Sequence, residues 1–162
     1  METKLIEKDE LYSLVPHRTK MFLLSRVSRY NLKEFSLEAE YDIAEDCVFY
    51  DHELGGVPAW AGFEFIAQAI SALVGLWRRE RGEGVKLGFI MSVSSMKIGL
   101  PLFRAGNTVK IRVKKISQID MVYSFEGSVF LEGRTILDGK ITVLDVDEEK
   151  MQAYQKEYNS IG

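Results

Sequence analysis

Glu64 lies between Phe63 and Phe65, in the most apolar segment of a 162-residue chain. A buried carboxylate must be paired, neutralised or used, because stripping a lone charge of its water is costly. Gln68 stands four residues on, so its amide shares a helix face with Glu64 and can hold the carboxyl by hydrogen bond. The plain alternative is a first-turn carboxylate satisfied by backbone amides. The chain has two histidines, His17 and His52. His52 precedes Glu64 by twelve residues, in the run Phe49-Tyr50-Asp51-His52-Glu53-Leu54-Gly55-Gly56. A glycine-bearing loop feeding a helix can bring such a histidine back over the helix start. A histidine beside a shielded carboxylic acid is an acid/base couple. Equally, His52 reads as a solvated loop residue, and His17 as a hydrogen-bond partner for the end of a first helix. Asp51 either orients His52 or caps a turn.

Other chemistries lack their residues. There is no G-x-S-x-G elbow, and Ser94-Ser95 has no recognisable base context. Gly82-Glu83-Gly84 lacks the third glycine and following helix of a dinucleotide loop. One cysteine, Cys47, excludes an internal disulfide framework and a thiolate zinc cluster, and two histidines make a histidine-rich metal site improbable. Lysine and arginine total 21 against 24 acidic residues, so nothing favours nucleic acid. The residues therefore point to acid/base work without cofactor or metal.

The elements that must position these groups read as one α+β domain over residues 1–162. A short helix over 9–15 stops at Pro16. Strands follow over 21–29 and 34–43, the second alternating Phe35, Leu37, Ala39 and Tyr41 with polar neighbours. The long helix is expected over 58–81. Its middle is apolar on nearly every face, so other protein must enclose it. Strands are then expected over 85–95, 108–117, 121–131 and 134–145, the last two as a hairpin around Glu132-Gly133. A polar helix over 148–158 ends the chain. The face bearing Lys110, Arg112 and Lys114 reads as solvated, or as a surface for an acidic partner. The start carries no secretory signal, and the uncharged run 65–77 is too short to cross a bilayer. Together with a free cysteine, this reads as a cytoplasmic protein.

Two segments resemble a known family. Leu14-Val15-Pro16-His17-Arg18, followed by Met21-Phe22-Leu23-Leu24-Ser25-Arg26-Val27, resembles the L-P-H-R-x-P-x-L-L-x-D-R-V opening of beta-hydroxyacyl-[acyl carrier protein] dehydratases. Gly62-Phe63-Glu64-Phe65-Ile66-Ala67-Gln68-Ala69 is similar to the segment around their catalytic glutamate. The run from Gly55 to Glu64 looks like the branch associated with aryl-polyene-type pathways. The resemblance spans residues 10 to 145 and implies a hot-dog fold, an antiparallel sheet of five to six strands wrapped around one long helix. It also implies a hydro-lyase that removes water from a 3-hydroxyacyl thioester carried on acyl carrier protein or coenzyme A.

In that scheme Glu64 is the catalytic acid, Gln68 its support and His52 the base, with Asp51 beside it. Backbone amides at Gly88 and Phe89, or at the helix start near Gly62, would polarise the thioester carbonyl. Trp60, Phe63, Met91, Met96 and Phe103 would line the acyl chain's path or serve as plain core. The G-H-F-P motif is absent, the interval from His52 to Glu64 is two residues short, and Ser25 replaces an aspartate, so the choice between His52 and His17 stays open. The expected assembly is a homodimer or higher homo-oligomer, or a heterodimer with a related dehydratase. A hot-dog thioesterase and a weakly active acyl-binding subunit are the alternatives.

Overall fold

The computed structural model describes residues 5–84, 88–145 and 148–161. Its centre is a helix, α2 (Gly62–Glu80), held in the concave face of an antiparallel sheet. The strands are β1 (Ile6–Glu7), β2 (Arg26–Asn31), β3 (Ser36–Asp42), β5 (Gly88–Ile98), β7 (Thr108–Ile119), β8 (Val122–Leu131) and β9 (Arg134–Asp145), in the order β1-β2-β3-β7-β8-β9-β5. Two short strands, β4 (Gly56–Pro58) and β6 (Leu102–Arg104), pair separately. The helices α1 (Lys8–Tyr12) and α3 (Glu148–Ile161) flank this body in sequence. The sheet has seven strands where five or six were expected; the addition is the two-residue β1.

Register follows the period-two pattern. Leu37, Ala39 and Tyr41 of β3 stand opposite Val113, Ile111 and Val109 of β7, and all six are buried. The other side pairs Glu38 with Arg112 and Glu40 with Lys110. Arg112 Nε donates to Glu38 at 2.7 Å, Arg26 donates to Glu40 at 2.7 Å, and Arg26 also pairs with Asp42. The basic face of β7 is thus met by an acidic strand in the same sheet. Each such exposed pair adds about 0–1 kcal/mol. Between β8 and β9, Glu132 and Gly133 take φ of 50° and 77°, the left-handed pair a two-residue hairpin needs.

Around α2 the packing is close. Phe65, Ile66, Ala69, Ala72, Leu73 and Leu76 are each at most 1% exposed. At Gly127 of β8 a Cβ would fall inside the Ile66 side chain, so glycine there lets helix and strand touch. The stretch Ala59–Glu80 is long and apolar enough to cross a bilayer, which corrects the sequence expectation. However, 67% of its most apolar window is buried inside the protein, as a core helix requires. Its start differs from the expected 58–81, because Pro58 is extended and pairs with Leu102, and a single 3-10 turn (Ala59–Ala61) intervenes. Its end follows the glycine signal: Gly82 has φ 70°, Gly82 N–H donates to the Arg79 carbonyl, and Glu83 N–H donates to that of Arg78.

The N-terminal third differs most from expectation. Helix α1 ends at Tyr12, since Pro16 disfavours helical backbone at Val15 and Leu14 is drawn over α2. Residues 21–25, expected in a strand, lie outside β2. There, Leu23 N–H bonds the Gln68 side chain rather than a neighbouring strand. Of the expected strand over 85–95, residues 85–87 lie outside the described residues.

Candidate active site

Glu64 sits in the first turn of α2, and no side chain caps that turn. Gln68, one turn on, is fully buried, and three bonds fix its amide. Its Oε1 accepts Leu23 N–H at 2.9 Å, while its Nε2 donates to the Met21 carbonyl at 2.6 Å and to Glu64 Oε1 at 3.1 Å. The i to i+4 pairing read from the sequence is therefore present. The same amide clamps the loop over residues 21–23 to the helix.

That loop follows His17. His17 Nε2 stands 3.1 Å from Glu64 Oε1, with 22% of the His17 side chain and 23% of the Glu64 side chain exposed. Arg18 holds the approach to it by donating to the carbonyls of Tyr12, Val15 and His17 and stacking 4.6 Å from the Tyr12 ring centroid. A ring nitrogen and a carboxyl oxygen this close need a proton between them. His17 Nδ1 is buried without a partner. A bare lone pair in that position is cheaper than an unsatisfied N–H. The network therefore puts the proton on Nε2, which donates to Glu64. Among the described residues both donors to the carboxyl, Gln68 and His17, fall on Oε1. Any proton the carboxyl carries is then directed to Oε2.

His52 stands elsewhere. Its turn is shaped by Asp51, whose Oδ1 accepts Glu53 N–H and Leu54 N–H at 2.9 Å each, and by Gly55 at φ 74°. Asp51 thus caps a turn and does not orient His52. The imidazole is exposed and packs edge-on to Tyr50 at 4.9 Å between centroids. Within one chain the histidine on Glu64 is His17, contrary to the sequence preference for His52. The shorter interval in sequence belongs to a turn that faces outward within one chain. The signal for His17 was its own motif, followed by Arg18 as an anchor.

The expected substrate contacts divide. Gly88 and Phe89 open β5 opposite Asp145 and Leu144, and Asp145 grips Arg78 near the far end of α2. The structure does not bring their amides to Glu64. The side chains of Phe89, Met91 and Met96 lie outside the described residues. Gly62 is buried, where a Cβ would meet Leu137 at 3.3 Å and Val129 at 3.4 Å, so it serves packing. Phe103 is core at 0% exposure, Phe63 is half-buried, and Trp60 is 57% exposed against Phe49. Among the described residues, no three of His, Cys, Asp and Glu gather as a metal site. Cys47 is a free, buried thiol beside Tyr41; burial first, then this thiol, push the Tyr41 hydroxyl well above its ordinary range.

A sheet wrapped around one central helix, with a carboxyl group at the helix start, defines the hot-dog class. The structure aligns with the dehydratase heterocomplex ApeI:P from Xenorhabdus doucetiae at a TM-score of 0.78, with 24% identity over 89% of this chain and 95% of that one. It also aligns with a hypothetical thioesterase protein with coenzyme A from Streptococcus pneumoniae, at a TM-score of 0.57 and 10% identity over 74% of this chain and 84% of that one. In sequence it is 23% identical over 141 residues to the 3-hydroxyacyl-[acyl-carrier-protein] dehydratase FabZ of Methylobacterium radiotolerans, covering 85% of this chain and 88% of the relative. The family model of the ApeP-like dehydratases matches residues 10–156. The chain belongs to the ApeP-like dehydratase family and is a hydro-lyase.

Proposed function

We propose that the chain removes water from a 3-hydroxyacyl thioester borne on acyl carrier protein, with Glu64 as the acid. The observation that carries this is the loading of both donors onto Glu64 Oε1. It leaves Oε2 to hand a proton to the departing C3 hydroxyl while a base takes a proton from C2. The C2–H and C3–O bonds break, the C2–C3 double bond forms, and water leaves. The substrate assignment is supported by the name of the Methylobacterium radiotolerans relative.

His17 is then a positioning residue. Its Nε2 proton is engaged on Glu64 and its Nδ1 is buried, so it has no lone pair to offer C2. The base in this reading is a histidine brought by a second chain: His52 of another copy, or its counterpart in a related dehydratase. Two features support it. His52 sits in an outward turn whose apolar neighbours Val48, Leu54 and Trp60 are 45%, 57% and 57% exposed. A heterocomplex is also the form in which the similar Xenorhabdus doucetiae dehydratase was solved.

Hydration of a crotonyl thioester, followed by loss of enoyl absorbance with a parallel assay for free thiol, tests the reading. The expected result is enoyl loss without thiol, from the chain alone or mixed with a related dehydratase. Thiol release would establish the thioesterase instead. Glu64→Gln should reduce the rate by about 10²–10⁴. His52→Ala should do the same, with His17→Ala milder; the reverse order makes His17 the base. Mixing inactive Glu64→Gln and His52→Ala copies should restore partial activity if copies of this chain share the site.

A further inference from the structure

Helix α2 carries one stripe that its own chain covers only in part. Phe63, Glu64, Ala67, Ser71 and Val74 are only half-buried, and the helical period gathers them within about 100° of the helix circumference. The stripe continues to Arg78, fourteen residues and about 21 Å along the axis from Glu64. At that end lies a narrow cleft of about 40 Å³, lined by Ser71, Val74, Arg78, Tyr123, Phe125 and Val143 among others. Arg78 is 4% exposed. Its Nη1 donates to Glu83 and its Nη2 to Asp145, but its Nε–H is buried with no acceptor. Such donors are rare in folded proteins, because nothing replaces the water they lost.

We infer that the stripe from Glu64 to Arg78 beds the acyl chain of the substrate, and that Arg78 Nε–H reads the chain's far end, favouring long chains that carry a neutral hydrogen-bond acceptor there, such as a hydroxyl. The inference rests on the dehydratase reading, which places the thioester end at Glu64. Size fits a terminal group: the cleft holds a few atoms. A methyl end would leave Nε–H unpaired, whereas a hydroxyl oxygen can accept from it. Charge selects a neutral end over a carboxylate. Arg78 is already paired with Glu83 and Asp145, and Arg81 also pairs with Glu83, so no uncompensated cation is left to attract an anion.

Calorimetric titration tests this with two hydrolysis-proof acyl-pantetheine amides of equal, long chain length, one ω-hydroxylated and one ending in methyl. The ω-hydroxyl ligand should bind about five- to tenfold more tightly, the worth of one net hydrogen bond. Arg78→Lys keeps a cation between the two carboxylates but has no Nε–H, and should bring the ratio to about one. Equal affinities in the unaltered chain, or a ratio that survives Arg78→Lys, overturn the inference. Should Arg78→Lys fail to fold, Val74→Trp, which fills the stripe beside Arg78, decides it. Both long ligands should then lose at least about tenfold in affinity relative to a butyryl amide, and undiminished binding overturns the inference. Binding requires no turnover. A chain that shows the expected ligand preference but hydrates no crotonyl thioester, alone or with a related dehydratase, refutes the dehydratase reading and leaves the far-end preference standing.

Discussion

Replacing Gln68 with leucine removes three bonds at nearly constant volume. Leu23 is 3% exposed, so its stranded N–H costs about 1–3 kcal/mol. Met21 is 42% exposed, and its carbonyl can turn to water at little cost. Glu64 keeps His17 but loses the amide; at 23% exposure this adds about 1 kcal/mol. The added leucine methyls return about 1 kcal/mol through apolar burial. The net is a loss of about 1–3 kcal/mol, or a melting temperature lower by about 2–12 °C for a chain of this size. Turnover should fall further than stability implies, by about 10–100-fold at temperatures where the variant is folded, because the carboxyl is no longer held in place. Thermal denaturation followed by circular dichroism, together with crotonyl hydration, measures both. A Gln68→Leu protein that melts within about a degree of the parent and keeps its rate would refute the clamp.

Other consequences are as direct. Gly127→Ala should destabilise the fold by about 1–3 kcal/mol through overlap with Ile66. Combined with Ile66→Ala, it should cost less than the sum of the single changes in denaturant titrations; strict additivity would place the overlap elsewhere. Arg18→Ala should lower turnover several-fold while shifting stability by under about 1 kcal/mol, as Arg18 is exposed and acts on the loop that carries His17. Equal losses in both would assign it a purely structural role. The hydrogen bond from Arg26 holds the Asp42 carboxyl below the usual carboxylate range. For Glu38 burial alone pushes the carboxyl up, but Arg29 and Arg112 reverse this and leave it low. A carboxyl lowered in the folded state stabilises above its unfolded value, about 3.9 for Asp, and loses that stability as pH falls through the folded value. Melting temperature should therefore decline below about pH 4 less steeply in Asp42→Asn than in the parent. The difference stays under about 1 kcal/mol, since the Asp42 side chain is 49% exposed; parallel curves would contradict the pairing.

The sheet was legible wherever one face is buried. Alternation in β3 and β7 carried the inward residues, and Glu132-Gly133 marked its own hairpin. The contact between Glu64 and Gln68 was legible because helical spacing alone creates it. What failed was long-range. Nothing local in Pro16-His17-Arg18 shows that Leu14 crosses α2 at Gly75, where a Cβ would collide with the Leu14 carbonyl, so that His17 arrives over Glu64. Nothing in Gly88-Phe89 shows that antiparallel pairing with β9 carries that strand start to the far end of the helix. Segment 22–25 reads as a strand by composition, yet Leu23 N–H bonds a side chain forty-five residues away and only Ser25 N–H reaches the neighbouring strand, at the Glu40 carbonyl. A tertiary partner overrode local preference there.

The Leu23 amide proton ends on Gln68 Oε1, so it touches the same side chain that holds the acid. Its exchange with solvent deuterium therefore times how often the N-terminal loop lets go of α2. Local openings span free energies from near zero up to that of global unfolding, and this proton reports one of them at a single position. A ligand that engages Glu64 and steadies Gln68 should slow that exchange by mass action, without any chemistry taking place. One backbone proton, remote in sequence from the helix, thus becomes a spectroscopic gauge of whether the acid is poised and occupied.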